Sequence, residues 1–374
     1  MALQAYTLSP CVLTRQGQGM KGLVLSGGAG TRLRPITYTS AKQLVPVANK
    51  PVLFFALEAL VAAGITEIGI VVGDTREEVR GAVGDGSTFG AHVTYIEQEA
   101  PLGLAHAVKI SRAFLGEDDF VLYLGDNLIR DGITELVERF ATAQPDALVL
   151  LASVPHPERF GVAELKDGQV VRLVEKPAVP PSNLALVGVY LFSACIFDAI
   201  AQIQPSPRGE LEITDAIQQL ITGGKRVEPH IITGWWKDTG RLEDMLEANR
   251  VILERLEGRI EGEIGEDVRL EGAVVVEKGA TLRDCTVRGP AIIGSGTLVE
   301  HAYIGPFTSV HDRCRIVHCE VENSIVLADS ELNSIGARVE SSLIGRGCFV
   351  GRSTTRPRAH KIMIGDHSRV EVSD

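Results

Sequence analysis

A short apolar run that ends in a glycine-rich loop lies near the start of the chain and limits the folds that the chain can adopt. Residues 22–25 read Gly-Leu-Val-Leu, and residues 26–30 read Ser-Gly-Gly-Ala-Gly. A brief apolar run closed by glycines predicts a buried strand. Because glycine has no Cβ, backbone N–H groups of such a loop can approach an anion closely. Arg32 and Arg34 follow at once and add guanidinium forks that suit phosphate oxygens. We therefore predict a polyphosphate-binding loop at the carboxyl end of the first strand of an α/β domain.

The loop does not match the two best-known phosphate-binding motifs. No Gly-Lys-Ser/Thr follows at the spacing that a Walker A loop requires. A literal G-x-G-x-x-G occupies residues 17–22, but it precedes the strand instead of following it. The loop at residues 27–32 also lacks the third glycine of the dinucleotide fingerprint. Taken alone, the loop is as compatible with an ordinary glycine-rich turn as with phosphate binding.

The residues that follow make the pattern longer and more specific. Residues 39–51 read Thr-Ser-Ala-Lys-Gln-Leu-Val-Pro-Val-Ala-Asn-Lys-Pro. With the loop, they resemble the signature of the sugar-1-phosphate nucleotidylyltransferases, G-G-x-G-T-R-L-x-P followed by K-x-L-x-P. The resemblance covers about residues 20–245. It implies an α/β fold in which a Rossmann-like nucleotidyltransferase domain with a mostly parallel sheet carries the activity.

The rest of the chain predicts two further patterns. Strand and helix signals alternate from residue 20 to about 150, as in a parallel sheet, and Lys166-Asp167-Gly168 predicts a hairpin turn. From about residue 261, Ile-Gly pairs recur at 264, 293, 304, 335, 344 and 364. This spacing resembles the hexapeptide repeat of a left-handed parallel β-helix. A β-sandwich is less favoured because hairpin turn dipeptides are nearly absent there. The predicted domains are a flexible N-terminal extension (1–19), the catalytic domain (20–257), and the β-helix domain with its tail (258–374).

Composition limits the partners. The 374 residues carry a formal net charge of −11, which argues against nucleic acid and anionic membranes as partners. No stretch approaches 18 uninterrupted apolar residues. The six cysteines form no paired framework, so we expect a cytoplasmic protein. Cys314, His318 and Cys319 lie close together, but their spacing matches no common zinc pattern.

The reaction that the resemblance implies is attack by a sugar 1-phosphate oxygen on the α-phosphorus of a nucleoside triphosphate. The nucleophile is already an anion, so positioning and charge neutralisation should dominate. Mg²⁺ held by carboxylates is the expected cofactor. Asp126 in Gly-Asp-Asn and Asp238 in Trp-Trp-Lys-Asp match the family's metal-binding aspartates by motif. A lone aspartate after a strand is more often a turn or capping residue, so the assignment depends on the pair.

The remaining site residues follow from the same resemblance. The implied catalytic residues are Arg32, Lys42, Asp126 and Lys176. The implied nucleotide-binding residues are Leu25, Gly27, Gly28, Gly30, Thr31, Arg32, Gln98 and Gly103. The implied sugar-phosphate-binding residues are Asn127, Gly161, Glu175, Lys176, Val187 and Arg208. Phe160 stands where relatives often have tyrosine, which removes one hydroxyl. We interpret Glu210, Glu212 and Asp215 as caps of the following helix, and Trp235 as packing beneath its loop.

The run Arg208-Gly-Glu-Leu-Glu-Ile-Thr-Asp215 is similar to that of the long-form glucose-1-phosphate thymidylyltransferases. It implies dTTP and glucose 1-phosphate as substrates, although thymine and uracil differ by one methyl group and UTP or ATP remain alternatives. A C-terminal acyltransferase would need an activated histidine, for which His301, His311 and His318 are available. We favour an assembly role for the repeats, and hence a homo-oligomer. A non-catalytic regulatory subunit is a further alternative, which the full set of phosphate and metal residues argues against.

Overall fold

The computed structural model describes residues 19–28, 30–352 and 366–371. The predicted flexible extension therefore lies, apart from Gly19, outside the described residues. Across those ranges no helix has both the length and the apolar character needed to span a bilayer. The described chain divides into two compact units. One joins the residues up to 28 with Val52–Asp238, and the other joins Gly30–Pro51 with the described residues from Thr239 onward.

Strands and helices alternate through the first two thirds of the chain, as the sequence predicts. Strands β1 to β13 are Lys21–Ser26, Pro46–Val47, Lys50–Pro51, Glu67–Val72, His92–Glu97, Phe120–Leu124, Asn127–Ile129, Ala147–Ser153, Gly161–Lys166, Gln169–Glu175, Leu184–Phe192, Val227–Ile231 and Trp236–Asp238. Helices α1 to α8 are Val52–Ala62, Arg76–Val83, Leu104–Ile110, Arg112–Leu115, Thr134–Ala143, Ile196–Ile200, Ile213–Thr222 and Leu242–Leu253. Short 3-10 helices lie at Thr31–Leu33, Ile36–Tyr38, Lys42–Leu44, Ser87–Phe89 and Pro157–Arg159.

A nine-stranded sheet forms the centre of the first unit, with the order β10-β9-β11-β6-β1-β4-β5; β8 also pairs with β11, and β12 pairs with β8. Strands β6, β1, β4 and β5 are mutually parallel. Leu25 is paired with Leu124 of β6, and Ser26 with Val72 of β4, so the carboxyl ends of these strands meet at one edge. Leu23 and Val24 are fully buried because the sheet is covered on both faces. This confirms the predicted first strand and the Rossmann-like fold.

Antiparallel pairing occupies the other half of this sheet. Strand β11 runs antiparallel to β6 and to β8, and β12 is parallel to β8. The predicted hairpin joins β9 to β10, with Asp167 and Gly168 both at positive φ, 51° and 77°. Two consecutive residues of positive φ are typical of a type I′ turn, whose twist fits the flanking strands. The hairpin prediction is therefore confirmed.

The second unit contains the repeats, which form three parallel sheets. Val275 pairs with Ile292 and Ile292 with Ser309, so one coil takes 17 residues. Inward-facing aliphatic residues of the central coils, such as Val287 and Ile304, are fully buried. This arrangement confirms the predicted left-handed parallel β-helix. Strands β14 to β30 are Arg259–Ile260, Glu263–Ile264, Arg269–Glu271, Val274–Val276, Thr281–Arg283, Thr286–Arg288, Ala291–Ile293, Leu298–Glu300, Tyr303–Ile304, Thr308–Val310, Arg315–Val317, Glu320–Glu322, Ile325–Val326, Glu331–Asn333, Val339–Glu340, Leu343–Ile344 and Phe349–Gly351.

Candidate active site

Gln98 lies directly after β5, beside the glycine-rich end of β1. Its side-chain Nε2 donates to the carbonyl of Gly103 at 3.3 Å and contacts Nδ1 of His106 at 3.0 Å. Its Oε1 lies 3.6 Å from the position that a Cβ on Gly27 would take. The structure thus brings together three of the predicted nucleotide-binding residues and fixes the direction of the Gln98 amide.

His106 is a residue that the sequence reasoning missed. Burial, assisted by the nearby charge of Lys109, lowers the pKa of its imidazole. A neutral imidazole can accept a hydrogen bond at Nδ1, which is what the Gln98 amide offers there. His106 therefore holds the side chain of Gln98 in position through this contact. The only sequence signal for this role of His106 is its position on α3, three residues after Gly103, and that signal is weak.

Gly103 begins α3 with φ of +103°, a conformation that side chains rarely adopt. A Cβ here would lie 2.3 Å from the carbonyl oxygen of Leu211, which accepts from the Ala105 amide at 3.0 Å. Any side chain at this position must displace the 206–212 loop.

We expect Gly103→Ala to lower the free energy of unfolding by about 3 kcal/mol or more, since strained backbone alone costs about 1–3 kcal/mol. Gly132→Ala is the matched control, because φ there is +71° but no atom lies within 4 Å of the added Cβ. Urea unfolding of both variants separates strain from overlap. Equal losses in the two variants would contradict the close approach.

The two predicted metal-binding aspartates come together on a two-stranded ribbon. Asp126 directly precedes β7, and Asp238 ends β13. These strands pair antiparallel with Asp238 opposite Asn127, the residue next to Asp126. The Asn127 Nδ2 donates to Asp126 Oδ1 at 2.8 Å. Two carboxylates gathered in this way offer the oxygen ligands that a hard divalent cation prefers, with its remaining positions available to phosphate oxygens and water.

Asn127 is buried next to Asp126, and three hydrogen bonds fix its side chain. It is 3% exposed, and its Oδ1 accepts from Trp236 Nε1 at 2.6 Å and from the Gly188 amide at 3.3 Å. The Trp236 ring in turn packs edge-on against Phe160 at 5.5 Å between centroids. Val187, next to Gly188, is fully buried, so its contact with a sugar would be made by its backbone. Trp236 was not singled out from the sequence, and its signal is the tandem Trp-Trp before Asp238.

The predicted sugar-phosphate residues gather around the carboxylate of Glu175, at the end of β10. Arg208 and Lys176 place side-chain nitrogens 3.2 Å and 3.4 Å from its Oε1. Gly161 is the register partner of Glu175, and a Cβ on it would lie 3.2 Å from Oε2. Thr214, which the sequence reasoning missed, donates to Oε2 at 3.2 Å.

A cavity of about 770 Å³ opens beside this cluster, and the charged side chains of the cluster line it. The wall carries three basic and three acidic side chains, and the cavity is large enough for a hexose. Its charged lining residues are Arg172, Glu175, Lys176, Arg208, Glu212 and Asp215.

Glu212 lies at the N-terminus of the following helix, α7, as interpreted, but its side chain makes no capping hydrogen bond. It is buried, and its Oε1 instead accepts from Arg208 at 2.8 Å and from Ser206 at 2.7 Å. Although partial burial opposes it, hydrogen bonding to Glu212 and the charges of Glu212, Glu210 and Glu175 raise the pKa of Arg208. Burial, together with Glu212 and Glu175, raises the pKa of Asp215. The acids here position a permanently charged guanidinium.

The predicted phosphate-binding residues Gly30, Thr31, Arg32 and Lys42 belong to the second unit. Gly30 has φ of +60°, and a Cβ on it would lie 3.1 Å from Lys42 Cβ. The carbonyl of Gly30 accepts from Thr37 Oγ1 at 2.7 Å. Arg32 is exposed, whereas Lys42 is only 7% exposed. Within the second unit, Gly30 therefore packs against Lys42, the first residue of the K-x-L-x-P element.

Metal sites built on three protein ligands are absent from the described ranges. Nowhere in residues 19–28, 30–352 and 366–371 do three or more His, Cys, Asp or Glu side chains converge suitably. Cys314, His318 and Cys319 consequently form no zinc site. The donor set of Asp126 and Asp238 fits a cation that takes its other ligands from a substrate.

Comparison with known proteins agrees with this geometry. The sequence model of the family described as nucleotidyl transferase matches residues 21–255. A glucose-1-phosphate thymidylyltransferase from Streptomyces griseus is 57% identical over 355 residues, which is 95% of this chain and 100% of the relative. A nucleotidyltransferase of low-salt glycan biosynthesis from Haloferax volcanii is 47% identical over 94% of this chain and 100% of its own length.

A solved structure shares the fold of part of this chain. It is a candidate glucose-1-phosphate thymidylyltransferase from Bacillus anthracis in complex with sucrose, with 38% identity and a TM-score of 0.61. The match covers 64% of this chain and 98% of that chain. From the family match and the relatives of full length, we conclude that this chain is a member of the nucleotidyl transferase family.

Proposed function

We propose that this protein is a glucose-1-phosphate thymidylyltransferase, which converts dTTP and α-D-glucose 1-phosphate into dTDP-glucose and pyrophosphate. One observation carries the proposal: Asp238 ends β13 and Asp126 directly precedes its partner strand β7, in the same unit as the charged cavity around Arg208. The two full-length relatives from Streptomyces that carry this name, each 57% identical, support it. We keep residues 20–257 as the catalytic domain and 258–374 as the β-helix domain and tail.

We assign the sugar phosphate to Lys176 and Arg208. The side-chain nitrogens of both residues contact the carboxylate of Glu175, and Arg208 also contacts that of Glu212. A phosphate monoester that enters the cavity would exchange one of these carboxylate contacts for a charge-assisted bond to phosphate. Asn127, Gly161, Glu175 and Val187 are assigned to the hexose. Because the phosphate oxygen that attacks is already ionised, these residues have only to orient it toward the α-phosphorus.

We assign the triphosphate to the loop residues Gly27, Gly28, Gly30 and Thr31, with Arg32 and Lys42 as the cationic clamp. Arginine and lysine stabilise the charge that develops on the phosphoryl oxygens during transfer. Asp126 and Asp238 would hold Mg²⁺, which would neutralise charge on the phosphates. Leu25, Gln98 and Gly103 are assigned to the nucleoside, and the Oε1 of Gln98 can accept from the N–H of a pyrimidine.

The direct test is incubation of the purified protein with dTTP, glucose 1-phosphate and Mg²⁺, followed by mass analysis of the products. The proposal expects equal amounts of dTDP-glucose and pyrophosphate, and no product after a chelator removes the metal. Product formation that survives chelation would contradict the role of the two aspartates.

The pH dependence of nucleotide binding tests the role of His106. Because the pKa of this imidazole is lowered by burial, it stays neutral until the pH falls below the ordinary histidine range. We expect the KM for dTTP to be steady at neutral pH and to rise about 2–10-fold once the pH falls below the ordinary histidine pKa, as protonation removes the acceptor for Gln98.

His106→Asn provides the control for this titration, since an amide oxygen can accept from Gln98 without titrating. Titration of the nucleotide itself affects both proteins and cancels in their ratio. A wild-type profile that runs parallel to that of His106→Asn would contradict the assignment.

A C-terminal acyl transfer activity is a second candidate, favoured by one feature of the β-helix. His301 Nδ1 lies 2.6 Å from Asp284 Oδ2, and its ring stacks on His318 at 4.7 Å, in a cleft of about 870 Å³. A carboxylate-oriented imidazole can act as a general base. It ranks second because both side chains of the pair are exposed, at 45% and 64%, so water competes for them. Release of thiol from an acyl thioester, compared between wild type and His301→Gln, tests it.

We further propose that the protein is cytoplasmic and forms a homo-oligomer. The five cysteines of the described ranges are free thiols, which supports a reducing compartment. The last described coil exposes Phe349 and Val350, at 68% and 37%, which supports contacts between subunits. Nucleic acid and membrane are not proposed as partners.

A further inference from the structure

The β-helix lies outside the family model, which ends at residue 255, so membership of the family does not account for it. The compact unit that contains these coils also contains Gly30–Pro51, the segment with Arg32 and Lys42. This grouping has a physical basis in a few specific contacts on both sides of Lys42.

The contacts after Lys42 are made by the tight hairpin of β2 and β3. Its two turn residues, Ala48 and Asn49, have φ of +48° and +60°. Positive φ is unfavourable for alanine, so the surrounding structure must over-determine the turn. Ala48 packs against a buried apolar cluster of Leu253 on α8 and Val275 and Ile292 on the coils.

Asn249 on α8 is the polar centre of the same contact. It is 1% exposed, and its Oδ1 accepts from the Ala48 amide at 2.8 Å and from Ser309 Oγ at 2.6 Å. Its Nδ2 donates to the carbonyl of Phe307 at 2.9 Å. One buried side chain therefore joins the hairpin turn to strand β23 and the residue before it. Asn49 adds a direct bond, from its Nδ2 to the carbonyl of Val310 at 2.8 Å.

A contact with the coils also precedes Lys42. Ile36 lies in the 3-10 helix Ile36–Tyr38, and its Cδ1 is 3.5 Å from the position that a Cβ on Gly345 would take. Gly345 follows strand β29 of the sheet that contains β23. Lys42 thus lies between two attachment points on the coils. Its own turn continues directly into the hairpin, because the Val45 amide donates to the Lys42 carbonyl and Pro46 begins β2.

From these contacts we propose that Asn249 is a positioning residue, which ties the hairpin after Lys42 to the coils so that the β-helix sets the place of the phosphate-binding segment. The inference rests on the proposed function in that it takes Lys42 to clamp the triphosphate. Small displacements of a group that holds a reacting phosphate cost large factors in rate, about 10²-fold for 1 Å. The coils then act in catalysis without contributing a reacting group.

The test uses two buried serines of adjacent coils as a matched pair. Ser309 donates to Asn249, whereas Ser324, equally buried, donates to Glu322 within the coils. Ser309→Ala and Asn249→Leu should loosen the hairpin, and Ser324→Ala should perturb the coils alone.

Hydrogen exchange is the first readout, because it does not depend on activity. We expect the amides of Val45 and of residues 47–50, that of Ala48 above all, to exchange about tenfold faster in Asn249→Leu, while β1 and β4 stay unchanged. Unchanged exchange of these amides would overturn the inference. Ser309→Ala gives the same comparison if Asn249→Leu does not fold.

Kinetics below the unfolding temperature of every variant is the second readout. We expect kcat to fall about tenfold or more and the KM for dTTP to rise in Asn249→Leu, with the KM for glucose 1-phosphate within about twofold of wild type. Ser324→Ala should keep both constants. Wild-type kinetics in Asn249→Leu would overturn the inference and leave the proposed function intact. A wild-type protein without activity would overturn the proposed function, and hydrogen exchange would still test whether Asn249 holds the hairpin.

Discussion

Asp126→Asn is expected to keep the fold and to lower kcat by about 10²-fold or more, the scale of losing one electrostatic contact to a reacting phosphoryl group. The substitution preserves shape, and Asn127 can still donate to the side-chain oxygen at position 126. What it removes is one of the two anionic charges at this end of the β7–β13 ribbon, where Asp238 pairs with Asn127, the residue next to Asp126. The measurement is pyrophosphate release at saturating substrates, together with the unfolding temperature.

Asp131→Asn is the matched control for this substitution. Asp131 lies just beyond β7 and forms a surface ion pair with Arg130 at 2.9 Å, with 56% of its side chain exposed. Exposed ion pairs contribute at most about 1 kcal/mol, so this variant should turn over like wild type. Near-normal turnover of Asp126→Asn at an unchanged unfolding temperature would contradict the metal assignment.

Arg208→Ala is expected to raise the KM for glucose 1-phosphate by about 10–150-fold, because a hydrogen bond to a charged group contributes about 1.5–3 kcal/mol. The KM for dTTP should change little. The variant also leaves Glu175, Glu210 and Glu212 without the cation that lies within 3.6 Å of each, so the cavity would repel a phosphate. Initial rates with each substrate varied in turn separate the two constants.

Two further variants make this prediction specific. Arg208→Lys restores charge without the planar fork and should recover only part of the loss. Arg76→Ala removes a surface arginine that is likewise paired with acids, Glu77 and Glu97, and should leave both constants unchanged. A rise in the KM for dTTP equal to that for glucose 1-phosphate would contradict the assignment of Arg208 to the sugar phosphate.

Local signals in the sequence account for the parts of the fold that it predicts. The strand before the glycine-rich loop, the Asp167-Gly168 turn and the repeats each depend on neighbouring residues or on a short period. The proximity of the Asp126 and Asp238 motifs is also predictable in outline, since the resemblance implies that both aspartates bind metal. Strand pairing then brings them to the same ribbon.

The contacts that the sequence could not predict connect residues far apart in the chain. Trp236 reaches Asn127 across 109 positions, and Ala48 reaches Asn249 across 201. Neither contact is marked by a repeat or a motif in the sequence, because the partners come together only in the folded chain. Glu212 illustrates a different failure, since an acid at a helix N-terminus usually caps it. Here the Glu212 carboxylate accepts from Arg208 instead of a helix amide, because a charge-assisted hydrogen bond is stronger than a hydrogen bond from a neutral amide.

The most direct measurement of the central claim is pyrophosphate release with glucose 1-phosphate and Mg²⁺, comparing dTTP, UTP, ATP and GTP at equal concentrations. Gln98, held in one direction by Gly103 and His106, is expected to favour the pyrimidines, with dTTP first and UTP next. These two differ by the methyl group of the base and by the 2′-hydroxyl of UTP; contact with one methyl group contributes about 1–3 kcal/mol, so UTP should retain some activity. Turnover with ATP or GTP alone would contradict the assigned nucleotide, and no turnover with any of the four would contradict the proposed function.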